Sequence, residues 1–181
     1  MTDENAATIH TVRRLAVRLG QPYADAVRRF EELVPVVDAE RFFRLDSWDA
    51  VVELAAREAP LGFMRYWNAD VPAFMAGSGA TWDCAQYLMG NHVIAERMYR
   101  YDPSVMLHAP LRVVIHASES GEAVFVVDQP STLFGSYHSA EIASVGRELD
   151  EKVAGVLAAL GAKPPVALTR PAAATGEGVA S

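Results

Sequence analysis

The strongest pattern in this sequence is an apolar stripe with helical spacing near its C-terminal end. Its members are Ile142, Val145, Leu149, Val153, Val156 and Leu160. Side chains spaced in this way lie on one face of an α-helix, and Ser139 and Gly161 suit the start and the end of that helix. Such a long apolar face must be covered, so the chain has to provide a sheet or further helices that pack against it.

The segments before this helix alternate between strand and helix patterns. Strand patterns lie at residues 10–19, twice within 61–91, at 111–117 and at 123–127. Helical patterns lie at residues 22–35, 46–60 and 92–101. Asp46 and Asn91 are the expected N-caps of the last two helices. This order predicts an α+β fold in which helices pack on one face of a mostly antiparallel sheet.

The two ends of the chain differ in composition from its middle. Residues 1–8 are polar and lack periodicity, and residues 162–181 are rich in Pro, Gly and Ala. We therefore predict a disordered tail at each end. Residues 9–161 contain no linker-like segment and no internal repeat, so we predict one compact domain of about 150 residues, a common domain size.

The charge balance and the single cysteine limit the expected partners and location. The chain has 23 Asp and Glu against 16 Lys and Arg, which gives a net charge of -7 at pH 7. Proteins that bind nucleic acid or anionic lipid usually present a basic surface, so we expect neither partner. Cys84 cannot form an internal disulfide, and no apolar run is long enough to cross a membrane. These features favour a cytoplasmic protein.

Four stretches of the sequence carry a resemblance to a known family. They are residues 87–103 (YLMGNHVIAERMYRYDP), 109–112 (APLR), 127–131 (VDQPS) and 145–150 (VGRELD). With them, the chain resembles the domain of unknown function 302 family over roughly residues 9–161. The resemblance implies a small bacterial protein with helices on one side of an antiparallel sheet, often paired as a homodimer. His92 stands where most members have Pro after the Gly-Asn pair, and the family pattern supplies no catalytic residue.

Aromatic residues between 61 and 91 indicate where a ligand could bind. The cluster comprises Phe63, Tyr66, Trp67, Phe74, Trp82 and Tyr87. A largely apolar pocket with a few polar groups is the usual form of a small-molecule site. We therefore predict a pocket between sheet and helices for a small apolar or amphipathic molecule; an aromatic core or a dimer interface is the alternative. The expected ligand contacts are Tyr66, Trp67, Trp82, Arg97, Met98, Tyr99 and His108.

His92 and Glu96 are the candidate catalytic pair. They are four residues apart, which places both on one face of the predicted helix at 92–101. A carboxylate there could orient the imidazole as a general base, with Arg97 or Tyr99 holding an oxyanion. This interpretation predicts a cofactor-free isomerase, cyclase or lyase. In the alternative interpretation, His92 forms a hydrogen bond with the backbone near the start of the helix, and Glu96 pairs with Arg100.

Cofactors have little support in the sequence. No Cys-x-x-Cys, no helical His-x-x-x-His and no glycine-rich phosphate loop occurs, so we predict no metal site and no nucleotide cofactor. Haem binding is a second alternative function, since one axial histidine in a methionine-rich pocket could accept the group. The methionines concerned are Met64, Met89, Met98 and Met106.

Overall fold

The computed structural model describes residues 7–169, so most of the two predicted tails lies outside the described residues. In this part of the chain, five strands form one sheet in the order β1-β5-β4-β3-β2, and every neighbouring pair is antiparallel. The strands are β1 (Arg14–Pro22), β2 (Met64–Asp70), β3 (Cys84–Gly90), β4 (Leu111–Ala117) and β5 (Glu122–Asp128). The predicted α+β class and the predicted hairpin of the last two strands are confirmed.

Within residues 7–169, seven helices connect and cover the strands. They are α1 (Tyr23–Leu33), α2 (Ala39–Phe43), α3 (Trp48–Glu58), α4 (Val71–Phe74), α5 (His92–Tyr99), α6 (Pro130–Phe134) and α7 (Ala140–Ala159). Three short 3-10 turns add to them at Pro103–Leu107, Gly135–Tyr137 and Val166–Leu168. None of the helices in residues 7–169 has the length and apolar character needed to cross a membrane.

The main core lies between one face of the sheet and helices α1, α5 and α7. Along β4, Val113 and Ile115 are fully buried whereas Arg112 is exposed, as the alternation of a strand requires. All six residues of the apolar stripe on α7 are buried in this core. A smaller apolar cluster, which includes Phe42 and Leu54, lies under α2 and α3.

The predicted N-cap residues are confirmed at two helices and wrong at one. Ser139 Oγ accepts from Ile142 N–H at the start of α7, and Asn91 Oδ1 accepts from Val93 N–H at the start of α5. The predicted N-cap Asp46 is wrong, because the hydroxyl of Ser47 accepts from the backbone at the start of α3. Both residues are favourable N-caps, so the sequence alone does not separate these neighbours.

The ends of the packed region differ from the predicted ones. The first strand begins at Arg14 rather than at residue 10, since Arg14 pairs with Asp128, the last residue of β5. Arg13 O still accepts from the Gln129 N–H, but Gln129 already lies beyond the end of β5. At the other end, packing extends beyond Gly161: Leu168 is buried in the main core and Gln129 donates to the Ala167 carbonyl.

Candidate functional site

An apolar cavity of about 130 Å³ lies where the end of β3 and the start of β4 meet helices α5 and α7. Its apolar walls include Phe63, Met98, Pro110, Phe134 and Leu149. Its polar lining residues come from the strand and helix ends nearby, namely Tyr66, Asn91 and His92.

Gly90 and Pro110 bring β3 and β4 close together beside this cavity. A Cβ atom placed on Gly90 would lie 3.0 Å from Pro110 Cβ and 3.2 Å from Pro110 Cα. Any larger residue at position 90 would therefore push the two segments apart. The Gly90-Asn91 pair thus fixes the point where β3 ends and α5 begins.

Tyr66 reaches the start of α5 from a β-bulge. The pairing of β2 with β3 shifts between Arg65, opposite Met89, and Trp67, opposite Leu88, which leaves Tyr66 as the extra residue. Bulges of this kind change the direction in which a side chain leaves a strand. Tyr66 Oη lies 2.6 Å from His92 Nδ1 and accepts from the His92 backbone N–H at 3.1 Å.

These contacts are the basis on which the tautomer of the imidazole is assigned. Within the described part of the chain, the only acceptor in hydrogen-bond range of the Tyr66 hydroxyl proton is His92 Nδ1. We assign the hydroxyl as donor to Nδ1, which leaves the ring proton on Nε2. His92 Nε2 is buried and has no hydrogen-bond partner among residues 7–169. The site therefore contains a buried donor without an acceptor.

Burial keeps both members of the pair neutral near pH 7. It lowers the pKa of His92 from its ordinary value of 6.5. It also raises the pKa of Tyr66, and the bond from the His92 backbone opposes that effect only in part. The imidazole ring further packs edge-to-face with Phe42, at 4.4 Å between ring centroids. A neutral imidazole held at Nδ1 and by contact with the Phe42 ring has a fixed orientation.

The amides at the start of α5 are largely satisfied within the protein. The His92 N–H donates to Tyr66 and the Val93 N–H donates to Asn91, while Asn91 Nδ2 donates to the Gly62 carbonyl. These amides give no support to binding of a ligand carboxylate at this helix end.

The structure brings together three of the predicted site residues and separates the others. Tyr66, His92 and Met98 line the cavity. The side chains of Trp67, Trp82 and Tyr99 are 46%, 58% and 52% exposed, outside the cavity. The predicted aromatic cluster is therefore dispersed between surface and core.

The expected pair of His92 with Glu96 is not formed. Glu96 instead accepts from Arg100, one turn further along the helix, at 2.6 Å. Arg97 is also held elsewhere, by Glu148 of α7 at 2.7 Å. Exposed side chains of opposite charge that lie four residues apart on a helix pair readily, which explains why Glu96 binds Arg100 rather than His92. Tyr66, not Glu96, orients the imidazole.

His108 does not line the apolar cavity, whereas several residues that were not predicted do. His108 lies in a neighbouring cleft, not in the apolar cavity. The lining residues that were not predicted as contacts are Gly90, Asn91, Ile94, Ala95, Ala109, Pro110, Leu111, Phe134 and Leu149. All of them except Phe134 belong to predicted elements or to the family stretches, and only the tertiary packing places them around one space.

The cavity does not fit a haem. Only Met98 and Met106 of the four candidate methionines line it, while Met64 and Met89 are buried in the apolar clusters. A volume near 130 Å³ is close to that of an engineered cavity of about 150 Å³ that binds benzene, far less than a porphyrin needs.

Comparison with known families shows the family to which the chain belongs. Residues 43–160, more than half of its length, match the family described as Domain of unknown function DUF302. The chain belongs to the DUF302 family. A solved structure, the uncharacterized conserved protein DUF302 from Bacillus stearothermophilus, is similar at a TM-score of 0.59 and 13% identity, over 81% of this chain and 97% of the other. At that identity the likeness shows the fold alone. No curated protein matches the chain.

Several residues of the DUF302 stretches hold the helices in place behind the cavity. The buried carboxylate of Asp150 on α7 accepts from Gln129 Nε2 at 2.7 Å and from the Ser131 backbone N–H and hydroxyl at 2.9 and 2.6 Å. A Cβ placed on Gly146 would lie 3.0 Å from Phe134 Cβ. These contacts fix α6 against α7, and α6 supplies one wall of the cavity.

Proposed function

We propose that this DUF302 protein binds a small apolar or amphipathic molecule in the cavity beneath Tyr66 and His92. One observation carries the proposal: an apolar cavity lined by a neutral imidazole whose Nε2 donor is buried and unpartnered within residues 7–169. Burying a donor without an acceptor costs about 1–3 kcal/mol, so a bound acceptor would recover stability that the empty protein lacks.

The volume of the cavity sets the size of the apolar part of the ligand. A space of about 130 Å³ suits a single six-membered ring or a short branched chain, by comparison with cavities that bind benzene. Its walls, which include Ile94, Leu111 and Leu149, offer no charged group. The part of the ligand that lies in the cavity is therefore uncharged.

The polar part of the ligand follows from the tautomer of His92. Because Nε2 carries the ring proton, the matching ligand atom is an acceptor such as a carbonyl or ether oxygen. An ammonium group or another donor would leave the same atom unpaired. The proposed ligand class is thus a small ring or branched chain with one oxygen acceptor.

Proton transfer at His92 is a second candidate function. The hydrogen bond from Tyr66 favours it, because a third group that orients an imidazole is typical of catalytic sites. In the assigned tautomer His92 would first act as a general acid, with Nε2 as the proton donor, rather than as the base that the sequence reasoning predicted. Replacement of an acid-base residue typically lowers turnover by 10²–10⁴-fold, which separates this candidate from simple binding.

We also propose a homodimer in the cytoplasm without nucleic acid or membrane partners. The net charge of -7 supports the absence of both partners. The face of the sheet opposite the helices presents half-buried apolar residues, including Val114 and Val126, which supports pairing of two copies. Sedimentation equilibrium tests this: twice the chain mass is expected, and a single chain mass at all concentrations contradicts it.

Native mass spectrometry of protein purified from its own host tests the binding proposal. Ala95 lines the cavity on α5, so Ala95→Leu fills the space, whereas Ala158→Leu makes the same change at an exposed position on α7. The unchanged protein and Ala158→Leu are expected to carry a small extra mass that is lost on denaturation. Ala95→Leu is expected to carry none. The chain mass alone in the unchanged protein would contradict the proposal.

A further inference from the structure

A second cleft, of about 390 Å³, lies on the other side of the segment that leads into β4. It shares Met106, Ala109, Pro110 and Leu111 with the apolar cavity but has a different lining. Four ionisable side chains line the second cleft and none of them lines the first. They are His10, His108, Arg112 and Asp128.

The ionisable groups of this cleft can carry more positive than negative charge. Within residues 7–169, Arg112 forms no ion pair and no hydrogen bond through its side chain, whereas Asp128 already pairs with Arg14 at 3.5 Å. The rings of His10 and His108 meet edge-to-face, 6.2 Å apart between centroids. One unneutralised guanidinium and two adjacent imidazoles therefore face a common space.

The rest of the cleft is apolar. Val12, Leu88 and Leu133 contribute walls beside the charged groups. The volume falls within the range of about 300–1,000 Å³ that is usual for small-molecule sites, which the first cavity does not reach. The cleft thus combines room for an apolar body with a place for an anionic group.

We propose that this cleft is a second ligand site, which binds a small organic carboxylate. The Arg112 guanidinium holds the carboxylate, since its planar pair of donors matches two carboxylate oxygens. His10 and His108 add donors from the N-terminal segment and from the turn before β4. The apolar body of the ligand packs on Leu88 and Leu133. This site is independent of the binding proposed for the apolar cavity.

The groups around His108 make this binding depend on pH. Burial, then His10 and Arg112, lower the pKa of His108, and Asp128 acts in the opposite direction. The rings of Tyr137 and Phe134 pack edge-to-face with the His108 ring, at 6.0 and 6.3 Å between centroids. A bound carboxylate favours the charged imidazole, so affinity is expected to increase as the pH falls from 8 to 6.

Benzoate is a suitable probe, followed by NMR of the histidine ring protons. Benzoate is expected to shift the His10 and His108 signals in a saturable way, while benzylamine, which has the opposite charge, does not. Arg112→Gln is expected to weaken benzoate binding about tenfold or more, as for loss of a charged hydrogen-bond partner. Arg147→Gln, at an exposed arginine of α7 outside the cleft, is the matched control and is expected to have no effect.

One further variant makes the test decisive. Ala95→Leu fills the apolar cavity and is expected to leave benzoate binding unchanged. Unshifted histidine signals, equal affinity in Arg112→Gln, or loss of binding in Ala95→Leu would each overturn the assignment of this second site.

Discussion

Tyr66 and His92 form a two-point contact across 26 positions of the chain: the tyrosine hydroxyl lies 2.6 Å from Nδ1 and 3.1 Å from the backbone nitrogen of the same histidine. One hydroxyl thereby fixes both the start of α5 and the orientation of the imidazole. In the assigned tautomer it accepts one of these bonds and donates the other, so both are made to the same residue. The contact links the position of a helix to the chemistry of the cavity.

Tyr66→Phe should destabilise the protein and release the imidazole. Loss of the hydroxyl leaves the His92 N–H and Nδ1 without their partner, at a cost of about 1–3 kcal/mol. Urea unfolding measures that cost, and nitrogen-15 NMR of His92 should show the ring proton no longer confined to Nε2. Tyr99→Phe removes an exposed hydroxyl and is the control, with no change expected. Equal stability of the two variants would contradict the assigned contact.

The stability that His92 contributes should decrease in acid. Burial lowers the pKa of His92 below 6.5, so the unfolded chain takes up a proton at this residue before the folded protein does. The contribution is therefore present above pH 6.5 and is lost as the pH falls through the lowered pKa. The difference in unfolding free energy between the unchanged protein and His92→Gln should narrow between pH 7.5 and 5. A constant difference would show that the imidazole is not held neutral.

Asp150→Asn should be strongly destabilising. The carboxylate is buried and accepts three hydrogen bonds from Gln129 and Ser131, and an amide would direct two protons toward these donors. We expect a loss of about 2–4 kcal/mol in urea unfolding. Glu151→Gln, at the exposed neighbouring position, should have an effect within about 0.5 kcal/mol. A small effect at Asp150 would contradict a structural role for this network.

Gly90→Ala and Gly155→Ala should change stability in opposite directions. The new methyl group at position 90 would press on Pro110, at a cost of about 1–3 kcal/mol. Position 155 is exposed on α7 with nothing within 4 Å of an added Cβ, so alanine should stabilise the helix there by about 0.5–1 kcal/mol. Thermal unfolding of the two variants measures both effects. Equal signs would contradict the close approach of Gly90 to Pro110.

The sequence predicted those parts of the fold that depend on continuous patterns. The α7 stripe, the hairpin of β4 and β5 and the Asn91 cap were recognised because each is encoded by residues near one another in the chain. By contrast, α2 and α4 have only five and four residues, too few for a periodic signal. The class and strand directions were therefore predictable, and the short connecting helices were not.

The candidate site was predictable only in part, for a related reason. His92 was identified from its own sequence context, but its partner Tyr66 faces it only because of the bulge in β2. That bulge also determines that the neighbouring Trp67 lies at the surface. Local composition cannot distinguish two adjacent aromatic residues that a single shift in strand pairing sends to different places.

Methyl NMR during titration with cyclohexanone tests the central claim most directly, because this probe has one six-membered ring and one carbonyl acceptor. The binding account predicts saturable shifts of the Ile94, Leu111 and Leu149 methyl signals in the unchanged protein and in Ala158→Leu. It predicts no such shifts in Ala95→Leu, whose cavity is filled, and weaker binding in His92→Gln. Unshifted methyl signals in the unchanged protein, or the same shifts in Ala95→Leu, would contradict a ligand site beneath Tyr66 and His92.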